Sequence, residues 1–206
     1  MQALNIAGKK MKIIYYRTLL KRAKNLTPNE RILYSFLVAK SISSIEQIWD
    51  VNGDELNQDV LDEYFSEFGN WFKMCTLNHT KMAKELHLTR KTIINGLAKL
   101  EKLGYIRYNQ YCELEIFINK ELLKSGYFEL YNINQLSGEL VVFYSYLVNK
   151  GQQYDYCIDT FKYRLAEDLG KTTTAITKLL NRLYRLGFAE RLDNGKLLIN
   201  KFGKLK

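Results

Sequence analysis

The chain has 206 residues, 47% of them hydrophobic, a net charge of +9, and three cysteines, Cys75, Cys112 and Cys157, set far apart. That length and apolar share suffice for two small cores and argue against disorder, and no stretch approaches the ~20 apolar residues of a membrane span. The odd, dispersed cysteines fit reduced thiols in a cytoplasmic protein, and the apolar run from Met11 to Tyr16 is too short for a signal peptide.

Residues 1–25 form a basic N-terminal arm, with Lys9, Lys10, Lys12, Arg17, Lys21, Arg22 and Lys24 and no acid. Apolar Met11, Ile13, Ile14, Leu19 and Leu20 predict a short strand and a helical turn that dock the arm on the first domain. Such an arm either lies along phosphates, adding salt-dependent affinity without reading sequence, or is a solvated basic face. Thr27-Pro28 then opens a long helix, threonine as cap and proline at the first helical position, with Tyr34, Leu37 and Val38 facing the core.

The next segment, about 43–72, reverses the charge. Between Ser41 and Phe72 stand eight acids (Glu46, Asp50, Asp54, Glu55, Asp59, Asp62, Glu63 and Glu67) and no Lys or Arg; removing those eight charges from the +9 total leaves +17 on the rest of the chain. So large an excess on polar helix faces points to a polyanionic partner. Within the segment Leu56, Val60, Leu61, Tyr64, Phe65 and Phe68 recur at helical spacing. This helix either packs on its own domain, as most such stripes do, or docks a protein partner or a second copy in a homodimer. Trp49, Trp71 and Phe72 would then serve as aromatic anchors.

Met82 to Ile106 predicts a short helix, a tight turn, a longer helix and the start of a strand. Met82, Ala83 and Leu86 share one face, Leu88-Thr89 breaks the helix, and the Thr89 hydroxyl caps the next one. There Ile93, Leu97, Leu100 and Leu103 form a buried stripe, and Gly104 ends the helix. Tyr105 to Tyr108 and Glu113 to Ile118 are expected to pair around Asn109-Gln110. Residues 119–126 read as a helical turn and glycine break linking the domains. Tyr127 to Leu130 reads as the leading strand of the second domain, and Phe188 to Ile199 as its hairpin with a two-residue turn at Asn194-Gly195.

The second domain repeats the first. Ala83, Leu86, Thr89, Ile93, Leu97, Leu100, Leu103 and Gly104 recur, 83 residues on, as Ala166, Leu169, Thr172, Ile176, Leu180, Leu183, Leu186 and Gly187. Upstream, residues 26–40 resemble residues 136–150 at an offset of 110, so the first copy carries 27 extra residues.

Each copy resembles a winged helix-turn-helix domain, and the tandem over residues 26–200 resembles winged-helix plasmid replication initiators and phage replication proteins. The resemblance implies a mainly α fold with small β wings (α+β): two tandem winged helix-turn-helix domains, at 26–118 with the acidic insertion and at 127–206. It also implies that the third helix of a DNA-binding copy enters the major groove while the wing touches the backbone. Carried onto this sequence, Arg90, Lys91, Thr92, Asn95 and Lys99 would face the groove in the first copy. Thr173, Thr174, Thr177, Lys178, Asn181 and Arg182 would do so in the second. Arg107, Asn109, Arg191, Asn194 and Lys196 would lie on the wings. The expected partner is double-stranded DNA, in replication initiation of a plasmid, phage or other mobile element or in transcription regulation. The alternative is a protein-interaction scaffold in a chromosome-organising or replisome complex, against which the +17 outside the insertion argues.

Enzymatic chemistry finds little support. Gly170-Lys171-Thr172 is similar to the end of a phosphate-binding loop, but Leu165 stands where the first glycine belongs and a helix precedes it. His79 and His87 are the only histidines, and the spacing of Cys75, His79, His87 and Cys112 matches no zinc motif. No cofactor or metal is expected.

Overall fold

Capping decides where most helices of this chain begin. The computed structural model describes residues 13–21, 23–45, 48, 56–74, 78–131, 136, 138–159 and 161–200. Strand β1 (Ile13–Tyr16) and the turn α1 (Thr18–Lys21) precede α2 (Pro28–Ile42). At the start of α2 the Thr27 hydroxyl accepts from the Glu30 N–H while the Glu30 carboxylate accepts from the Thr27 N–H at 2.7 Å. Then come α3 (Gln58–Phe68), β2 (Trp71–Met74), α4 (His79–Leu86), α5 (Arg90–Lys102), β3 (Ile106–Tyr108) and β4 (Leu114–Phe117). After α6 (Lys120–Lys124) and β5 (Tyr127–Leu130) follow α7 (Glu139–Gly151), β6 (Cys157–Ile158), α8 (Lys162–Leu169), α9 (Thr173–Arg185), β7 (Ala189–Arg191) and β8 (Leu197–Ile199). The described chain is thus mainly helical with small antiparallel sheets.

The element order helix, strand, helix, helix, strand, strand occurs twice, and the two three-stranded sheets share one order, β2-β4-β3 and β6-β8-β7. Ile93, Leu97 and Leu100 are buried, as are Ile176, Leu180 and Leu183. Leu103, expected to close that stripe, instead forms the C-cap of α5 and stands exposed, as does Leu186 after α9, because the helix ends before the stripe returns to the core. The Tyr-Ser pair shared by α2 and α7 has one structural role in both. Tyr34 donates its hydroxyl to the Phe117 carbonyl and Tyr144 donates to that of Asn200 at 2.7 Å, tying each first helix to the end of its sheet. Burial pushes both hydroxyls well above the usual tyrosine range, so they stay neutral donors.

Ser35 and Ser145 hold the leading strands. The Tyr16 N–H donates to Ser35 Oγ at 3.1 Å and the Tyr131 N–H to Ser145 Oγ at 2.8 Å, which makes Tyr16 and Tyr131 structural equivalents. β1 pairs antiparallel with β5, setting Ile14 opposite Glu129. Both residues lie two positions before the equivalent tyrosines, so each faces its own counterpart. An approximate two-fold axis therefore passes through the Ile14–Glu129 pair and relates the two copies. The arm thus docks on both copies, not on the first alone: β1 packs on α2 and pairs with β5, while α1 packs on α6 and α8. Leu122 and Leu123 of α6, in the expected linker, are buried in the same continuous apolar core.

Two turn expectations are corrected. Neither hairpin closes on the expected two residues: the closing pairs are Asn109 N–H to Glu113 C=O at 3.0 Å and Leu192 N–H to Lys196 C=O at 2.9 Å. Each loop therefore has three residues, Gln110 to Cys112 and Asp193 to Gly195, with the last in the left-handed region at φ 59° and 80°. The insertion packs on its own copy through buried Leu61 and Phe65. Phe72, an anchor only in the alternative where the helix docks a partner, is buried in β2, its ring 5.0 Å from that of Phe65. Trp71 lies beside it in β2, a strand paired with β4. Trp49, Glu46, Asp50, Asp54, Glu55, Cys75, Arg22 and the lysines at 9, 10 and 12 fall outside the described residues.

Candidate nucleic-acid interface

Helices α5 and α9 each follow a tight turn whose chemistry differs between the copies. After α8 the left-handed residue is Gly170 at φ 60°; after α4 it is His87 at φ 49°, a conformation that strains a residue with a Cβ. Thr89 and Thr172 then cap the long helices by accepting from the N–H of Thr92 and Ala175 at 3.1 and 3.2 Å. This arrangement also explains Gly170-Lys171-Thr172: it is a helix end and a cap, and Lys171 pairs with Glu139 of α7.

On α5, Arg90, Lys91 and Asn95 are exposed, and Thr92 is half-buried with its hydroxyl 2.8 Å from that of Thr89. Lys99 is already engaged by Glu30 at 2.9 Å. Burial alone would raise the Glu30 carboxyl, but the Thr27 N–H and Lys99 hold it below the usual carboxylate range. The pair is therefore intact at neutral pH and is lost as pH falls through that lowered value. On α9, Thr173, Thr174, Lys178, Asn181 and Arg182 are exposed, while half-buried Thr177 donates its hydroxyl to the Thr173 carbonyl at 2.9 Å.

The hairpins β3-β4 and β7-β8 hold their polar residues more tightly. Arg107 pairs with Glu115 at 2.7 Å and stacks 4.0 Å over the Trp71 ring. Asn109 builds its turn: its side-chain oxygen accepts from the N–H groups of Tyr111 and Glu113, and its amide donates to Glu113. Arg191 and Asn194 are exposed, Lys196 is half-buried, and Asn194 accepts from the Lys196 N–H at 3.0 Å.

Sequence reading missed Ile94, exposed on α5 between Lys91 and Asn95, an apolar group of the kind that meets thymine methyls in a groove. Its only signal was that it falls outside the stripe of Ile93. Tyr108 and Tyr111, exposed on the β3-β4 hairpin, and Arg185, exposed at the end of α9, were also passed over.

No helix among the described residues is long and apolar enough to cross a membrane, and among them no group of three or more His, Cys, Asp or Glu could hold a metal ion. No protein family, curated protein or solved structure matches the chain.

Proposed function

We propose that the chain is a sequence-specific double-stranded DNA-binding protein of the cytoplasm, made of two winged helix-turn-helix units. It would serve replication initiation of a plasmid, phage or other mobile element, or transcription regulation. The observation that supports this most is the repeated presentation of α5 and α9. Each buries its apolar stripe against its own copy and leaves a face of cations, amides and hydroxyls bare. Arginine and asparagine on such a helix can form bidentate hydrogen bonds with base edges, and the wing cations can meet phosphates.

The approximate two-fold axis gives this reading a geometry. Two recognition helices related by a two-fold meet a duplex as inverted half-sites, and helices in successive major grooves lie about 10 base pairs apart. One chain would then do alone what a symmetric dimer does with two. A salt titration of duplex binding by fluorescence anisotropy tests the proposal. With roughly five to ten phosphate contacts, affinity falls steeply as salt rises. A flat response, or no binding to any duplex at low salt, would overturn it.

A further inference from the structure

The start of α8 departs from its counterpart in a way that the packing of the chain does not explain. In copy 1 the N-cap of α4 is Asn78, whose side chain accepts from the Lys81 N–H at 2.9 Å. The equivalent residue in copy 2, 83 positions on, is Phe161, which makes no cap hydrogen bond and is 51% exposed. Tyr163 replaces Thr80 and is 57% exposed, with its ring 5.7 Å from that of Phe161. Arg164 lies over both rings, 5.2 and 5.9 Å from their centroids. Copy 2 has thus exchanged a stabilising cap for two bare aromatic rings and two exposed cations, Lys162 and Arg164.

The complementary surface is on copy 1, in the other departure from the repeat. Helix α3 is fixed from below by Leu61 and Phe65 and turns Asp59, Glu63 and Glu67 to solvent, none of them in an ion pair among the described residues. At its end Phe68 is 51% exposed, its ring 4.6 Å from that of Tyr64. Acids beside a bare aromatic on one copy match cations beside bare aromatics on the other, and aromatic and arginine anchors dominate interfaces.

We propose that the Phe161–Arg164 patch docks helix α3 of a second copy of this chain, head to tail. The contact is heterologous, so it leaves a free α3 at one end and a free patch at the other and continues from chain to chain. With one short helix on one side and four residues on the other, it is a small contact, of the weak, concentration-dependent kind. Because it uses neither α5 nor α9, its test needs no DNA and its outcome is separate from that of the DNA-binding proposal.

The test is light scattering on the intact chain up to ~0.5 mM, a range suited to a small interface. The wild-type mass rises with concentration beyond that of one chain. Two charge-reversed variants, one carrying Glu63→Lys with Glu67→Lys and the other Lys162→Glu with Arg164→Glu, each stay monomeric, with unchanged circular dichroism. Mixing them restores association, because each then presents the charge the other lacks. A wild type that stays monomeric, variants that associate as it does, or a mixture that stays monomeric would each overturn the proposal. If the wild type is monomeric and the Lys162/Arg164 variant loses only nucleic-acid affinity, the patch belongs to nucleic acid instead.

Discussion

The two copies share a backbone and differ in the residues that fill it. Where the structure leaves no choice the copies agree: the tyrosine hydroxyl that ties first helix to sheet, the serine that holds the leading strand, the threonine that caps α5 and α9. Where the same backbone is filled differently, copy 1 holds the more strained solution, with His87 for Gly170 and Cys112 for Gly195 in the left-handed region. Internal identity therefore marks what holds the fold.

The sharpest packing difference lies under α5. A Cβ on Gly96 would meet Leu33 Cδ2 at 2.7 Å, whereas the equivalent position on α9 is the buried Leu179. Giving copy 1 the leucine of copy 2 should be the most damaging exchange. Gly96→Leu is expected to lower stability by about 3 kcal/mol, as overpacking of a closed contact does, measured by chemical denaturation. A neutral result would show that the two helix pairs pack alike.

Smaller effects are expected where the copies differ at the interface. Arg90→Ala or Asn95→Ala should weaken specific duplex binding by ~1–3 kcal/mol per lost base contact, with nonspecific binding changed less. Thr173→Ala or Lys178→Ala should weaken both by similar, smaller amounts, since threonine hydroxyls and lysine meet phosphate more often than they select bases. Competition assays with specific and random duplexes decide it, and the reverse pattern would move specificity to copy 2. Smallest are the strain exchanges: His87→Gly and Cys112→Gly should each raise stability by about 1 kcal/mol, the usual relief on freeing a left-handed residue. A loss of stability at either would mean that the native side chain makes contacts worth more than the strain.

The main helices, three of their caps and the repeat were legible because they rest on local chemistry: Thr27 with Pro28, Thr89, Thr172, and stripes such as Ile93, Leu97 and Leu100; the caps Asn57, Asn78 and Asn119 were not read. The first strand of each sheet was not. β2 pairs four residues and β6 two, too few to show alternation, and the burial of Phe72 was hidden because its strand partner, Ile116, lies far off in sequence. The β1–β5 ribbon that sets the two-fold was hidden for the same reason, since its partners are over 100 residues apart. Most of the candidate contact residues were readable as exposed, but not which were half-buried, such as Thr92 and Thr177, nor which were already engaged: Lys99 by Glu30, Arg107 by Glu115, and Asn109 by its own turn.

The central claim, that one chain presents two groove-reading helices about an internal two-fold, is tested most directly by selecting bound duplexes from a random pool with the intact chain and footprinting the product. The expected product is an imperfect inverted repeat whose half-sites are centred about 10 base pairs apart, the half read by copy 1 being the more strictly defined. Enrichment of a direct repeat, of a single undivided half-site, or of no sequence at all would contradict it.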